Sequence, residues 1–188
     1  MNRRESLQRF SVTAVSGMAA SKAVALALLP YHAGTTVGPQ VAFTFDDPST
    51  EKSGTLSSSE INERMLAAVA KHRIKGALFV CGKRIDSPHG RELITAWDSQ
   101  EHLIGNHSYS HLFFDNTGLQ EFEADTTKNE ALIRGYAHFT RLFRFPFFKE
   151  GDTQTKRDGM RAFLQTHGYR QGRATVLSST HLGSRPLL

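Results

Sequence analysis

The fold class follows from one short apolar run that ends in two acidic residues, Val41-Ala-Phe-Thr-Phe-Asp-Asp-Pro48. Apolar and β-branched residues in succession, bounded by polar ones, are typical of a buried strand. A capping box at Ser57 to Glu60 comes next, and apolar residues at helical spacing then continue towards Gly76. From Val41 onwards, the sequence therefore predicts a strand followed by a helix.

The same alternation continues along the chain. We predict further strands at residues 77–81, 103–104 and 142–145, and further helices at residues 92–97, 119–136 and 153–167. Strands that alternate with helices favour an α/β fold with a mostly parallel sheet.

Composition limits the class of protein. A chain of 188 residues with 39% hydrophobic and 22% charged residues is typical of one globular domain and excludes collagen-like and strongly disordered chains. The single cysteine, Cys81, excludes a disulfide framework and any multi-cysteine metal site, so histidines and carboxylates would have to hold a metal. Residues 1–32 carry +3 of the net charge of +5, which leaves about +2 for the rest and predicts no nucleic-acid partner.

The N-terminus resembles an export leader. Arg3 and Arg4, with Leu7 after them, precede a modestly apolar run at residues 12–29, as in a bacterial twin-arginine signal. An amphipathic N-terminal helix is the alternative. Because Lys22 and small polar residues interrupt the ~20 apolar residues that a bilayer span needs, we predict no stable membrane span. We expect a signal-like leader at residues 1–33 and a periplasmic or extracellular location.

Polar residues cluster where the predicted strands end. Asp46 and Asp47 follow the first strand, His107 and His111 follow the third, and Arg144 lies in the fourth. The carboxyl ends of parallel strands share one rim, so these residues can converge there. Each cluster alone is a weak signal: nine histidines in 188 residues give roughly 0.4 pairs at any chosen spacing by chance. An aspartate pair is often a turn or a helix cap, and a surface ion pair is the alternative role for Arg144.

Taken together and in this order, the three clusters resemble the motifs of the NodB-homology polysaccharide deacetylases, which are metal-dependent carbohydrate esterases. The motifs here are Thr-Phe-Asp-Asp-Pro at 44–48, Asn-His-Ser-Tyr-Ser-His at 106–111 and Arg-Phe-Pro-Phe at 144–147. The resemblance covers about residues 41–172. It implies an α/β fold of the distorted (β/α) barrel type and hydrolysis of N-acetyl groups, an amide C–N bond, on a glycan such as peptidoglycan or a chitin-like polymer.

The resemblance also implies the metal ligands. By resemblance, Asp47, His107 and His111 hold a divalent ion and leave open positions around it. We expect zinc, although Co²⁺, Ni²⁺ and Fe²⁺ suit the same three ligands. Asn106 and Ser108 could hydrogen-bond these ligands or could equally be turn residues.

The remaining site residues receive roles in the same way. Adjacent residues of a strand face opposite sides, so Asp46 and Asp47 should differ in role. By resemblance, Asp46 is the general base that takes a proton from the attacking water, and Arg144 orients it. Pro146 and Phe147 bind substrate, with the backbone N–H of Phe147 donating to the oxyanion.

Other aromatic and histidine residues are assigned structural roles. We expect core packing, rather than stacking on sugar rings, for the Phe-rich stretches at 113–114 and 143–148. Trp97 is read as a packing residue and His102 as a surface or cap residue.

The sequence departs from the family pattern in two places. Pro48 stands where the family usually has Gly, and beyond Arg173 neither the Asp-x-x-Asp-Trp-like motif nor the Leu-x-His motif of the general acid is present. His181 does not reproduce the latter motif. We therefore expect a partial, apparently C-terminally truncated catalytic domain at residues 34–173, an atypical tail at 174–188 and impaired activity.

Two further expectations follow from this departure. Unpaired strand edges of an incomplete barrel favour self-association. The alternative function is a non-catalytic remnant that binds metal or glycan.

Overall fold

The computed structural model describes residues 40–176. Within them, five strands form one parallel sheet in the order β1-β2-β3-β4-β5. The strands are β1 Thr44–Asp46, β2 Ala77–Val80, β3 Leu103–Asn106, β4 Phe139–Phe143 and β5 Arg170–Gln171. Each strand pairs with its neighbour in sequence, as in a (β/α) barrel, but within the described part of the chain the sheet stays open between β1 and β5. The prediction of an incomplete α/β barrel is confirmed.

Helices connect the strands. They are α1 Ser58–Lys71, α2 Gly82–Ile85, α3 Pro88–Asp98, α4 Leu119–Ile133 and α5 Gln154–Thr166, with short 3-10 turns at Phe114–Asn116 and Pro146–Phe148. The capping box is present as predicted: the Ser57 hydroxyl accepts from the N–H of Glu60, and the Glu60 carboxylate accepts from the N–H of Ser57. In residues 40–176, no helix is long and apolar enough to cross a membrane.

The predicted element boundaries shift in places. The first strand begins at Thr44 rather than Val41, which is 76% exposed. The fourth begins at Phe139 and ends before Arg144. Neither α2 nor β5 is predicted by the sequence pattern, because elements of four and two residues are too short to show a periodicity.

The described core has two parts. One lies between the sheet and helices α1 and α3, and its largest side chain, Trp97, is 1% exposed and donates from Nε1 to Asn62 Oδ1 at 2.6 Å. The other is mainly aromatic and joins the end of β4 to α4 and α5. The packing role predicted for Trp97 is confirmed.

His102 is not a surface residue, contrary to prediction. It is buried directly before β3, its ring packs edge-on against Trp97, and its Nδ1 accepts from the N–H of Gly76 at 3.0 Å. A buried backbone N–H needs a partner, and the imidazole supplies one.

Several predictions lie outside the described residues. These are the leader at 1–33, the first residues of the expected domain at 34–173, and all but the first three residues of the tail at 174–188, His181 included.

Candidate metal centre

Three side chains from two strand ends meet at the carboxyl rim of the sheet. Asp47 directly follows β1, and His107 and His111 lie in the loop after β3. Their ligand atoms all lie within 4.8 Å of one another. The closest pair is His111 Nε2 and Asp47 Oδ2 at 3.2 Å, and His107 Nε2 lies 4.0 Å from Asp47 Oδ1.

His107 is fixed by its second ring nitrogen. It is 2% exposed, and its Nδ1 donates to the backbone carbonyl of Arg144 at 2.8 Å. Because the proton is held on Nδ1, Nε2 carries a free lone pair that faces Asp47. This is the tautomer in which Nε2 can bind a metal.

The protonation states suit a cation. Burial opposes ionisation of Asp47, but the hydrogen bond from His111 and the positive charges around the carboxylate outweigh it, so the pKa of Asp47 is lowered. Burial also lowers the pKa of His107, against the attraction of Asp47 and Asp46. An ionised carboxylate beside a neutral imidazole is the state in which both residues can donate lone pairs.

The loop that carries the histidines is held by its own polar side chains. Asn106 Oδ1 accepts from the N–H of Ser108 at 2.9 Å, and Ser108 Oγ accepts from the N–H of His111 at 3.2 Å. Ser108 and His111 both have positive φ, 62° and 55°, a backbone conformation that is uncommon for non-glycine residues. Of the two expectations left open for Asn106 and Ser108, these contacts support the turn role.

Helix α4 contributes support that the sequence analysis missed. The Asp125 carboxylate accepts from the N–H groups of Tyr109 and Ser110, and Asn129 Nδ2 donates to Asn106 Oδ1 at 2.8 Å and to the carbonyl of Val80. A signal was present in the sequence: Asp125 and Asn129 fall on the same helical face as the buried residues Phe122 and Ile133.

Asp46 points to a different partner from Asp47. Its carboxylate accepts from Arg144 Nη1, while Arg144 Nη2 donates to Thr44 Oγ1 at 2.9 Å and Nε to the carbonyl of Gly172 at 2.7 Å. Arg144 is 4% exposed and stacks on the ring of Phe79, with 4.0 Å between the guanidinium carbon and the ring centroid. The reading of Arg144 as a surface ion pair is wrong, because a buried guanidinium here joins β1 to the ends of β4 and β5.

Pro146 and Phe147 form a tight turn next to these groups. Pro146 is buried and begins the 3-10 turn, whereas Phe147 is 55% exposed with φ 56°. The ring of Phe147 packs edge-on against His111, with centroids 4.6 Å apart. The expectation of core packing fails for Phe113, Phe147 and Phe148, which are all exposed, and holds for Phe114, Phe143 and Phe145.

The donor set fits a divalent cation. Asp47 Oδ1 is buried and receives no hydrogen bond from the described residues. Its nearest charged neighbour is Arg84, whose Nε lies 3.6 Å away. One carboxylate and two imidazoles are ligands that Zn²⁺ and the neighbouring transition metals accept, and three of them leave coordination positions open.

Comparison with known proteins agrees with the motif pattern. The family model described as polysaccharide deacetylase matches residues 33–171. Among curated proteins, none matches the sequence significantly.

Solved structures of similar fold include three carbohydrate-active enzymes. A family 4 carbohydrate esterase from Streptomyces lividans is 22% identical with a TM-score of 0.53, and the alignment covers 70% of this chain and 60% of that one. A polysaccharide deacetylase from Bacillus cereus is 21% identical with a TM-score of 0.54, covering 71% and 59%. A chitin deacetylase from Colletotrichum lindemuthianum is 18% identical with a TM-score of 0.53, covering 69% and 53%. The matched part of this chain thus spans at most about 60% of each of these proteins.

Proposed function

Because the chain belongs to the polysaccharide deacetylase family, we propose that it hydrolyses N-acetyl groups of a glycan with a divalent metal held by Asp47, His107 and His111. The observation that carries this proposal is the meeting of these three side chains, from residues up to 64 positions apart, within 4.8 Å. We propose zinc as the ion and an N-acetylglucosamine polymer, such as peptidoglycan or a chitin-like glycan, as the substrate.

The ion's chemistry would be that of a Lewis acid, which polarises an amide carbonyl and lowers the pKa of a water molecule. The chain supplies the remaining groups. Asp46 accepts the proton of the attacking water, and the buried Arg144 orients its carboxylate by a charge-assisted hydrogen bond. The backbone N–H of Phe147 donates to the oxyanion, at a position that the turn begun by Pro146 fixes.

The proposal includes reduced activity. Residues 1–188 hold no Leu-x-His motif, and we propose that these residues on their own release the amine without the general acid that the family resemblance implies. General acid catalysis contributes typically about 10²- to 10⁴-fold, and we expect turnover lower by that order than in an enzyme that has the acid.

Location and assembly are part of the same proposal. A leader at residues 1–33, ahead of a catalytic domain at 34–173, would export the protein to the periplasm or beyond, where glycan polymers lie. β1 and β5 are the edges of the described sheet, and we expect self-association through them.

The test is acetate release from chitin oligomers and from peptidoglycan by the zinc-loaded full chain. Release should stop with a chelator, return with zinc, and be absent in Asp46→Asn. The matched control is Asp158→Asn, an exposed aspartate on α5, which should release acetate like the wild type.

A second candidate function can be distinguished from hydrolysis by measuring zinc content and acetate release on the same protein. The alternative function is that of a non-catalytic protein that binds metal or glycan. Stoichiometric zinc by elemental analysis, with no acetate released from either glycan, would select that function over hydrolysis.

A further inference from the structure

Two exposed aromatic side chains stand beside the candidate metal centre. Phe113, two residues after His111, is 37% exposed, and Phe147 is 55% exposed. Their rings meet edge to face with centroids 5.4 Å apart, and Phe147 in turn packs against His111. The aromatic surface formed by Phe113 and Phe147, here called the aromatic platform, therefore extends outward from one of the three ligands.

The backbone holds both rings in place. The carbonyl of Phe113 accepts from Thr117 Oγ1 at 2.9 Å, and the next residue, Phe114, is fully buried and stacks on Phe122 with centroids 4.2 Å apart. Since its neighbour is fixed in the core, Phe113 presents its ring to solvent from an anchored position.

Phe147 is exposed at a conformational cost. It has φ 56°, in the left-handed region that bulky residues rarely occupy. Strain of this kind persists where the surrounding structure enforces it, and it concentrates at binding and catalytic sites. An apolar ring that is held in a strained backbone and left open to solvent has no role in core packing.

We propose that the aromatic platform binds a second sugar ring of the glycan, next to the ring whose acetamide lies at the metal centre, and that Phe113 gives the protein its preference for oligomers over a single sugar. The inference rests on the proposed function. The chemistry is stacking: the C–H groups of a pyranose face meet the negative face of an aromatic ring, and the platform brings no charge of its own to an uncharged polymer.

The experiment is an NMR titration of the zinc-loaded full chain with N-acetylglucosamine and with its β-1,4-linked tetramer. The acetate signal in the same spectra reports any turnover. Phe113→Ala should weaken tetramer binding by roughly threefold to tenfold and leave monomer binding unchanged. Phe113→Trp should restore tetramer binding. The matched control is Phe43→Ala, an exposed phenylalanine ahead of β1, which should bind both sugars like the wild type.

Two results would overturn the inference. One is tetramer binding by Phe113→Ala equal to that of the wild type. The other is an equal loss of monomer and tetramer binding, which would indicate a structural defect that a thermal melt can check.

The two proposals fail separately. If the wild type releases acetate but Phe113→Ala keeps the tetramer preference, the platform is wrong and the proposed function stands. If no acetate appears while Phe113→Ala loses tetramer binding, the hydrolytic function is wrong and the platform stands. A wild type that binds neither sugar contradicts both.

Discussion

Asn106 links the sheet to the loop that carries both histidines, and its removal should cost more than a typical core substitution. The side chain is fully buried and takes part in four hydrogen bonds, to the carbonyl of Thr126, the hydroxyl of Tyr169, the N–H of Ser108 and the amide of Asn129. In Asn106→Ala, the Tyr169 hydroxyl still bonds Glu130 and the Asn129 amide still bonds Val80, but the N–H of Ser108 loses its acceptor.

The magnitude follows from this count. An orphaned buried donor costs about 1–3 kcal/mol, and each of the three remaining bonds contributes about 0.5–1.5 kcal/mol net. We therefore expect the free energy of unfolding to fall by about 4 kcal/mol, a large part of the 5–15 kcal/mol typical of a domain.

The assay is urea unfolding, in which a shifted midpoint with an unchanged dependence of the unfolding free energy on urea concentration reports a change in stability. The matched control is Asn116→Ala, which changes an exposed asparagine of the first 3-10 turn. The control should change stability by less than about 0.5 kcal/mol. Zinc affinity, measured by calorimetry, should fall with Asn106→Ala because the turn that aims His111 loses its first contact. A loss below about 1 kcal/mol with zinc affinity unchanged would refute this account of the loop.

Three further outcomes are expected. Arg84→Gln removes the cation nearest to Asp47 and should raise zinc affinity about two- to fivefold in calorimetric titrations, unlike Lys83→Gln. Burial lowers the pKa of His102, so the folded state prefers the neutral imidazole. The neutral His102 therefore stabilises the fold fully above pH 6.5, and this stabilisation is lost as the pH falls through the lowered pKa. Thermal melts at a series of pH values should show a smaller loss of stability at low pH for His102→Gln than for the wild type. In Gly90→Ala, the new Cβ would lie 2.3 Å from a backbone oxygen, so we expect the free energy of unfolding to fall by about 3 kcal/mol. In Gly135→Ala, the new Cβ meets no atom within 4 Å, so this variant should be as stable as the wild type or more stable. Equal urea-unfolding midpoints for the two variants would contradict the steric argument.

Local patterns predicted the elements that local physics determines. The capping box at Ser57 predicted the start of α1, and short apolar runs separated by helical patterns indicated parallel strands, because caps and burial patterns act over a few residues. The convergence of Asp47 with His107 and His111 was anticipated from the rule that parallel strands share a rim.

The parts that the sequence analysis missed depend on contacts between distant residues. The burial of His102 depends on Gly76, and the support of Asn106 depends on Asn129 and Tyr169, so no window of neighbouring residues contains these pairs. Exposure of Phe113 beside the buried Phe114 is likewise decided by how the loop packs, since both have the same hydrophobicity.

The span of the Arg144 contacts has a consequence for assembly. Arg144 binds residues 98 and 100 positions earlier in the chain and one 28 positions later. Contacts over such separations form only when the long loops between the partners close, and this closure costs conformational entropy. A nascent or partly folded chain in which β1 and β5 are not both formed therefore lacks these contacts, and the proposed orientation of Asp46 by Arg144 should appear only once both strands are in place.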